Sequence, residues 1–179
     1  MVFLPNLEKL RVERISMVHV VDYQMEGGSF HKPRGLDVRN CEKVFNVVAP
    51  GQLKLFPNIQ SLHVKDCREL EAVFNFEGLT ARRDHAKVTL GQLESLNFSN
   101  LPKLMHVWRM IPKELQGFQN LKSIIIWECD SLRYLFSPTM AKLLGNLQIL
   151  WVQECKMIEE IIDTEDHFKI KIFDEIVTT

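Results

Sequence analysis

The chain of 179 residues has almost no net charge: 22 lysines and arginines stand against 23 aspartates and glutamates, which leaves −1. Electrostatic binding to nucleic acid or a membrane surface needs a basic excess, so neither partner is expected. No stretch reaches the ~18–20 uninterrupted apolar residues of a membrane helix. The opening MVFLPNLEKL lacks the basic segment and apolar core of a secretion signal. There are only four cysteines, spaced by 26, 62 and 26 residues, and no C-x-x-C pair that would suggest a metal or redox motif. The six histidines (His19, His31, His63, His85, His106, His167) show no H-E-x-x-H or other paired metal spacing, and there is no G-x-x-x-x-G-K-[ST] phosphate loop. Neither a metal nor a cofactor is expected, and neither is an enzyme.

What the chain does have is an internal repeat, and all four cysteines fall at one phase of it. Cys41, Cys67, Cys129 and Cys155 each lie five residues after an aliphatic anchor (Leu36, Leu62, Ile124, Leu150) and three before another aliphatic (Val44, Leu70, Leu132, Ile158). The units read LDVRNCEKV, LHVKDCREL, IIIWECDSL and LWVQECKMI. Two further copies keep the frame without the cysteine: Leu10 with Ile15 and Val18, and Leu96 with Leu101 and Leu104. The six anchors are spaced by 26, 26, 34, 28 and 26 residues. Self-similarity at about 20–29 residues around L-x-L-x-x-(N/C) is the mark of a leucine-rich repeat solenoid. The expectation is a single α/β domain over residues 1–179, with a parallel sheet on the concave face and irregular or short helical convex arms. The cysteines, explained by repeat phase, are expected to be buried free thiols in a reducing cytosol.

Within each unit the anchor and the residue two positions on should point inward, as the period of a strand requires. These pairs are Leu10/Val12, Leu36/Val38, Leu62/Val64, Leu96/Phe98, Ile124/Ile126 and Leu150/Val152. The cysteine then occupies the turn, where its thiol can bond backbone that the strand no longer satisfies. Ile15 and Leu101 cannot do this, so their turns are expected to close differently. Pro33 replaces the apolar residue found three before the other anchors, which predicts an irregular approach to the second strand. The pairs Val47/Val48, Val73/Phe74, Val107/Trp108, Leu135/Phe136 and Ile161/Ile162 should turn back to fill the interior. Ser137-Pro138 before TMAKLL and Gly145 reads as a short capped helix. Residues 22–35 and 75–87 read as polar surface loops. Asn97-Phe98-Ser99 matches a glycosylation sequon, but Asn97 falls on a strand.

The runs LPKLMHVW (101–108), CDSLRYLFS (129–137) and LQILWVQECKMIEEII (147–162) are more specific than a generic repeat. Together they resemble the C-terminal repeats of plant coiled-coil, nucleotide-binding, leucine-rich-repeat disease resistance proteins, from Phe3 to Ile162. The resemblance implies a cytoplasmic innate-immune receptor in which this region senses a pathogen effector or a guarded host protein. It also implies that the region restrains the receptor's own nucleotide-binding domain. With FLPNLEKL already inside a repeat and no strong cap at either end, the chain is expected to be a fragment of a larger receptor. The rival reading is the substrate-recognition repeats of an F-box ubiquitin ligase subunit, which an F-box bundle upstream would identify; the 28- and 34-residue units fit that reading less well.

A protein partner should meet the outward strand positions. At the N-terminal end these are basic: Arg11, Arg14, Arg39, His63 and Lys65. At the C-terminal end Ile125, Trp127, Ile149 and Trp151 should form an exposed apolar patch rimmed by Glu128 and Glu154.

Overall fold

The structure is a computed structural model that describes residues 6–16, 33–49, 56–77, 89–112 and 115–162. Val18, most of both expected surface loops and the tail after Ile162 lie outside the described residues. In chain order the elements are β1 (Lys9–Glu13), β2 (Gly35–Arg39), β3 (Asn46–Val48), β4 (Ser61–Lys65), β5 (Ala72–Asn75), β6 (Thr89–Leu90) and β7 (Ser95–Ser99). They continue with β8 (His106–Arg109), β9 (Gln116–Gly117), β10 (Ser123–Trp127), β11 (Tyr134–Phe136), α1 (Pro138–Leu143), β12 (Ile149–Gln153) and β13 (Glu160–Ile162).

β1, β2, β4, β7, β10 and β12 form one six-stranded parallel sheet in that order, one strand per repeat. The register never slips. Leu10, Leu36, Leu62, Leu96, Ile124 and Leu150 lie level across it, as do Val12, Val38, Val64, Phe98, Ile126 and Val152. The extra residues of the 34- and 28-residue repeats are therefore absorbed by the return arms. This is a leucine-rich repeat solenoid, stabilised by each rung covering its neighbour. The anchors of the four middle rungs are buried, whereas Leu10 and Leu150 are only partly so, each having, among the described residues, a neighbouring strand on one side.

Each strand begins in the same way. The carbonyls of Glu8, Arg34, Gln60, Glu94 and Lys122 each accept two backbone N–H groups from the next rung, at 2.7–3.3 Å. Before four of the strands the chain also closes a tight turn, through Ile59, Leu93, Leu121 and Leu147 N–H donating to the carbonyl three residues earlier. Pro33 has no N–H to give, so the expected irregularity comes down to that one bond; Arg34 and Gly35 join the ladder normally.

Each strand also ends in the same way. The residue four after the anchor adopts a left-handed backbone in all six rungs: Arg14, Asn40, Asp66, Asn100, Glu128 and Glu154, with φ between 51° and 56°. In the first five, its N–H donates to the last strand carbonyl of the following rung at 3.0–3.1 Å, carrying the ladder one residue past the strand. The cysteine comes next. Its thiol faces the carbonyl two residues back, at 3.2 Å for Cys41, 3.4 Å for Cys67 and Cys155, and 3.6 Å for Cys129.

The expectation of a different turn at Leu101 is not met. Leu104 N–H closes onto the Leu101 carbonyl at 3.1 Å, just as Leu70, Leu132 and Ile158 close onto their cysteines at 3.3 Å. Buried Leu101 fills the same space, and the left-handed residue before it already directs the chain, so the thiol decorates this turn and does not create it.

The returning apolar pairs form a second layer of parallel strands. β3, β5 and β8 make one sheet and β11 and β13 another, with the pairing interrupted between β8 and β11. Aromatic rings bridge that gap. Phe74 stacks on Phe76 and Trp108 at 6.4 and 6.3 Å, Phe118 lies edge-on to Phe74 and Trp108 at 5.6 and 5.8 Å, and Trp108 meets Phe136 at 5.5 Å. Such pairs stabilise beyond the area they bury. β6 and β9 pair on the return arms, where Gly117 (φ 153°) runs so close that a Cβ would lie 3.2 Å from Leu90 N. α1 forms as expected: Ser137 caps it by accepting from Met140 N–H at 3.2 Å, Pro138 begins it, and Met140 points into the core.

Candidate partner-binding face

The outward positions of the six-stranded sheet also run in level rows. One row reads Lys9, Gly35, Ser61, Ser95, Ser123, Ile149; the next Arg11, Asp37, His63, Asn97, Ile125, Trp151; the third Glu13, Arg39, Lys65, Ser99, Trp127, Gln153. Charge therefore gathers at the first three rungs, small polar groups at the middle and apolar bulk at the last two.

The expected apolar patch is present in geometry. Ile125 stands level with Trp151, Ser123 with Ile149 and Trp127 with Gln153, which sets the two indoles diagonally on adjacent strands. Trp127 is 41% exposed, Trp151 46% and Ile149 53%, while Ile125 is half-buried between them. On β10 Ile124 and Ile126 point inward and have no exposure, so the alternation is clean there; on β12 the inward Leu150 and Val152 are half-buried. Glu128 and Glu154 do not lie in the pleat. Like Arg14 at the other end, they occupy the left-handed position just past the strand and so form a rim.

The basic end departs from a row of free cations. Asp37, on the open face, is only 1% exposed because its neighbours lie over it. Arg11 Nε donates to Oδ2 at 3.0 Å, Arg39 Nε donates to Oδ1 at 2.7 Å, and Lys9 Nζ stands 3.9 Å away. Burial works to raise the Asp37 pKa, but the Arg39 and Arg11 guanidiniums outweigh it and hold the carboxyl below its ordinary range. Two of the five candidate basic side chains are thus braced on a buried carboxylate. His63, level with Asp37, has its pKa lowered mainly by burial, with help from Lys9 and Arg39 against the pull of Asp37. It is neutral at physiological pH. Lys65 and Arg14 are exposed.

Sequence reasoning missed Asp37 as the centre of this cluster. The signal was there: Asp37 faces Arg11 across β1–β2 and shares its face with Arg39 two residues on.

Residues 6–156 match the leucine-rich repeats of the plant disease resistance protein RPS2-like family. The chain belongs to that family. No solved structure matches it. The RPS2-like match takes in all six strands of the main sheet and every residue of both ends of the open face, so the surface described is that of a defence-related repeat module. Among the described residues no three or more His, Cys, Asp or Glu side chains gather so as to hold a metal ion. No described helix is long and apolar enough to cross a membrane.

Proposed function

We propose that this repeat module is the protein-recognition region of a cytoplasmic innate-immune receptor of the nucleotide-binding, leucine-rich-repeat kind, and that residues 1–179 fold as one domain within it. The open face engages a pathogen effector or a guarded host protein and, in the resting receptor, the receptor's own nucleotide-binding domain. The single observation that carries this reading is the patch of Trp127, Ile149 and Trp151: three large apolar side chains held in the open on two strands whose opposite faces pack against the core. Indole rings on a rigid sheet lose little conformational entropy on binding and are enriched among binding hot spots. Glu128 and Glu154 form the rim of the patch, and Arg14, Lys65 and the braced Arg11, Asp37, Arg39 and His63 cluster supplies a polar contact at the far end. The module acts by binding, without catalysis, cofactor or metal.

The test is expression in leaf tissue of the full receptor carrying Trp127→Ala and Trp151→Ala, with cell death scored with and without the pathogen. The reading expects an altered response, either lost recognition or activity without the pathogen, at unchanged protein level. A wild-type response on both counts would refute it.

A further inference from the structure

The four cysteines form two neighbouring pairs, and the pairs differ. Cys41 and Cys67 sit on adjacent rungs and are both fully buried. Cys129 and Cys155 occupy the same phase on the last two rungs, but only Cys129 is fully buried; Cys155 is half-exposed at the end of the described sheet. The β10–β12 register runs to Trp127 opposite Gln153, and Glu128 N–H extends the ladder to the Gln153 carbonyl at 3.1 Å. The next residues across are the two cysteines, each with its sulfur turned toward the carbonyl two residues back. Adjacent strands lie about 4.8 Å apart, inside the roughly 4.4–6.8 Å between Cα atoms that a disulfide spans.

We propose that Cys155 and Cys129 are a two-thiol redox site: Cys155 reacts with a hydroperoxide and Cys129 resolves the product as a disulfide tying the fifth rung to the sixth. In the first step the Cys155 thiolate attacks one peroxide oxygen. An S–O bond forms, the O–O bond breaks, and the departing hydroxide or alkoxide takes up a proton, so sulfur is oxidised to sulfenic acid and the peroxide is reduced. In the second step the Cys129 sulfur attacks the Cys155 sulfur. The S–S bond forms, the S–O bond breaks, and the leaving hydroxide takes the Cys129 proton to become water. Each thiol gives up one electron overall, and the peroxide accepts two.

The environment favours Cys155 as the attacking group. The neighbouring Cys129 thiol is the largest influence on it, and with the Cys129 N–H it outweighs burial and lowers the pKa from 9.0 to about 7. The same interaction, with burial, pushes Cys129 up. In the inner pair burial pushes Cys67 up to about 12. Closing the disulfide pins the half-buried last rung, and with it Trp151, to the rung that carries Trp127.

The experiment treats the reduced full chain with limiting hydrogen peroxide, blocks the remaining thiols and maps peptides without reduction. The expected product is a Cys129–Cys155 linked peptide, with Cys41 and Cys67 recovered as blocked free thiols; in Cys129→Ser a dione probe should trap sulfenic acid at Cys155. Equal oxidation of all four cysteines, or no oxidation at Cys155, would overturn the proposal. Should Cys129→Ser fail to fold, the wild-type alkylation rate gives a second reading. At pH 7 a thiol of pKa about 7 gains in thiolate more than it loses in nucleophilicity, which leaves it roughly fivefold faster than an ordinary cysteine. A Cys155 rate no faster than that of the buried thiols would contradict the assignment.

Discussion

The two faces of strand β10 carry nearly the same kind of residue and do different things. Ile124 and Ile126 point inward, level with five other aliphatic or aromatic side chains in each row, and are fully buried. Ile125 and Trp127 point outward, where Ile125 is half-buried and Trp127 is 41% exposed. Hydrophobicity alone does not tell these residues apart; position in the pleat does. A solenoid spends one face of each strand on its neighbours and leaves the other free, so what stands on the free face is unconstrained by folding and open to a partner.

Substitutions on the two faces should therefore separate widely. The largest loss is expected for Ile126→Ala, which empties a fully buried site between Phe98 and Val152 and should cost about 2–5 kcal/mol in urea denaturation. Cooperative loss of the rungs on both sides would sharpen the contrast.

Asp37→Asn tests an outward side chain that does serve the fold. It should cost about 1–2 kcal/mol, toward the low end because Arg11 and Arg39 remain partly in water and are screened. The sign with pH follows from the lowered pKa. The contribution of Asp37 is present above its unfolded value near 3.8 and is lost as pH falls through the lower folded value, so wild type and variant should converge in acid.

Glu128→Asn goes the other way. Asparagine tolerates the left-handed backbone that glutamate occupies at φ 53°, and the second and fourth rungs already use Asn40 and Asn100 there. A gain of about 0.5–1 kcal/mol is expected in the same denaturation assay.

Much of this architecture was legible in the chain. The anchors, the unbroken register, the inward and outward alternation, the capped helix at Pro138–Leu143 and the exposed indoles all follow from residue period and spacing. Four features were not. The left-handed position has no composition to betray it, since Arg14, Glu128 and Glu154 are ordinary surface residues; only the recurrence of Asn40, Asp66 and Asn100 hints at the backbone. The turn at Leu101 was misjudged because the thiol was credited with closing a turn that the backbone closes unaided. Asp37 was not singled out: the strand register placed it beside Arg11 and Arg39, but its burial under them depends on rotamers that a sequence does not show. Among the cysteines, a common phase suggested a common environment, whereas Cys155 follows the outermost described strand and is the least covered.

The most direct test is the thermal and urea unfolding of Trp127→Ala/Trp151→Ala beside Ile126→Ala. The account predicts a double variant within about 0.5 kcal/mol of wild type, although it removes two of the largest side chains in the chain. A loss of several kcal/mol in the double variant, comparable to that of Ile126→Ala, would show that the indoles belong to the fold and that the outward face is not free.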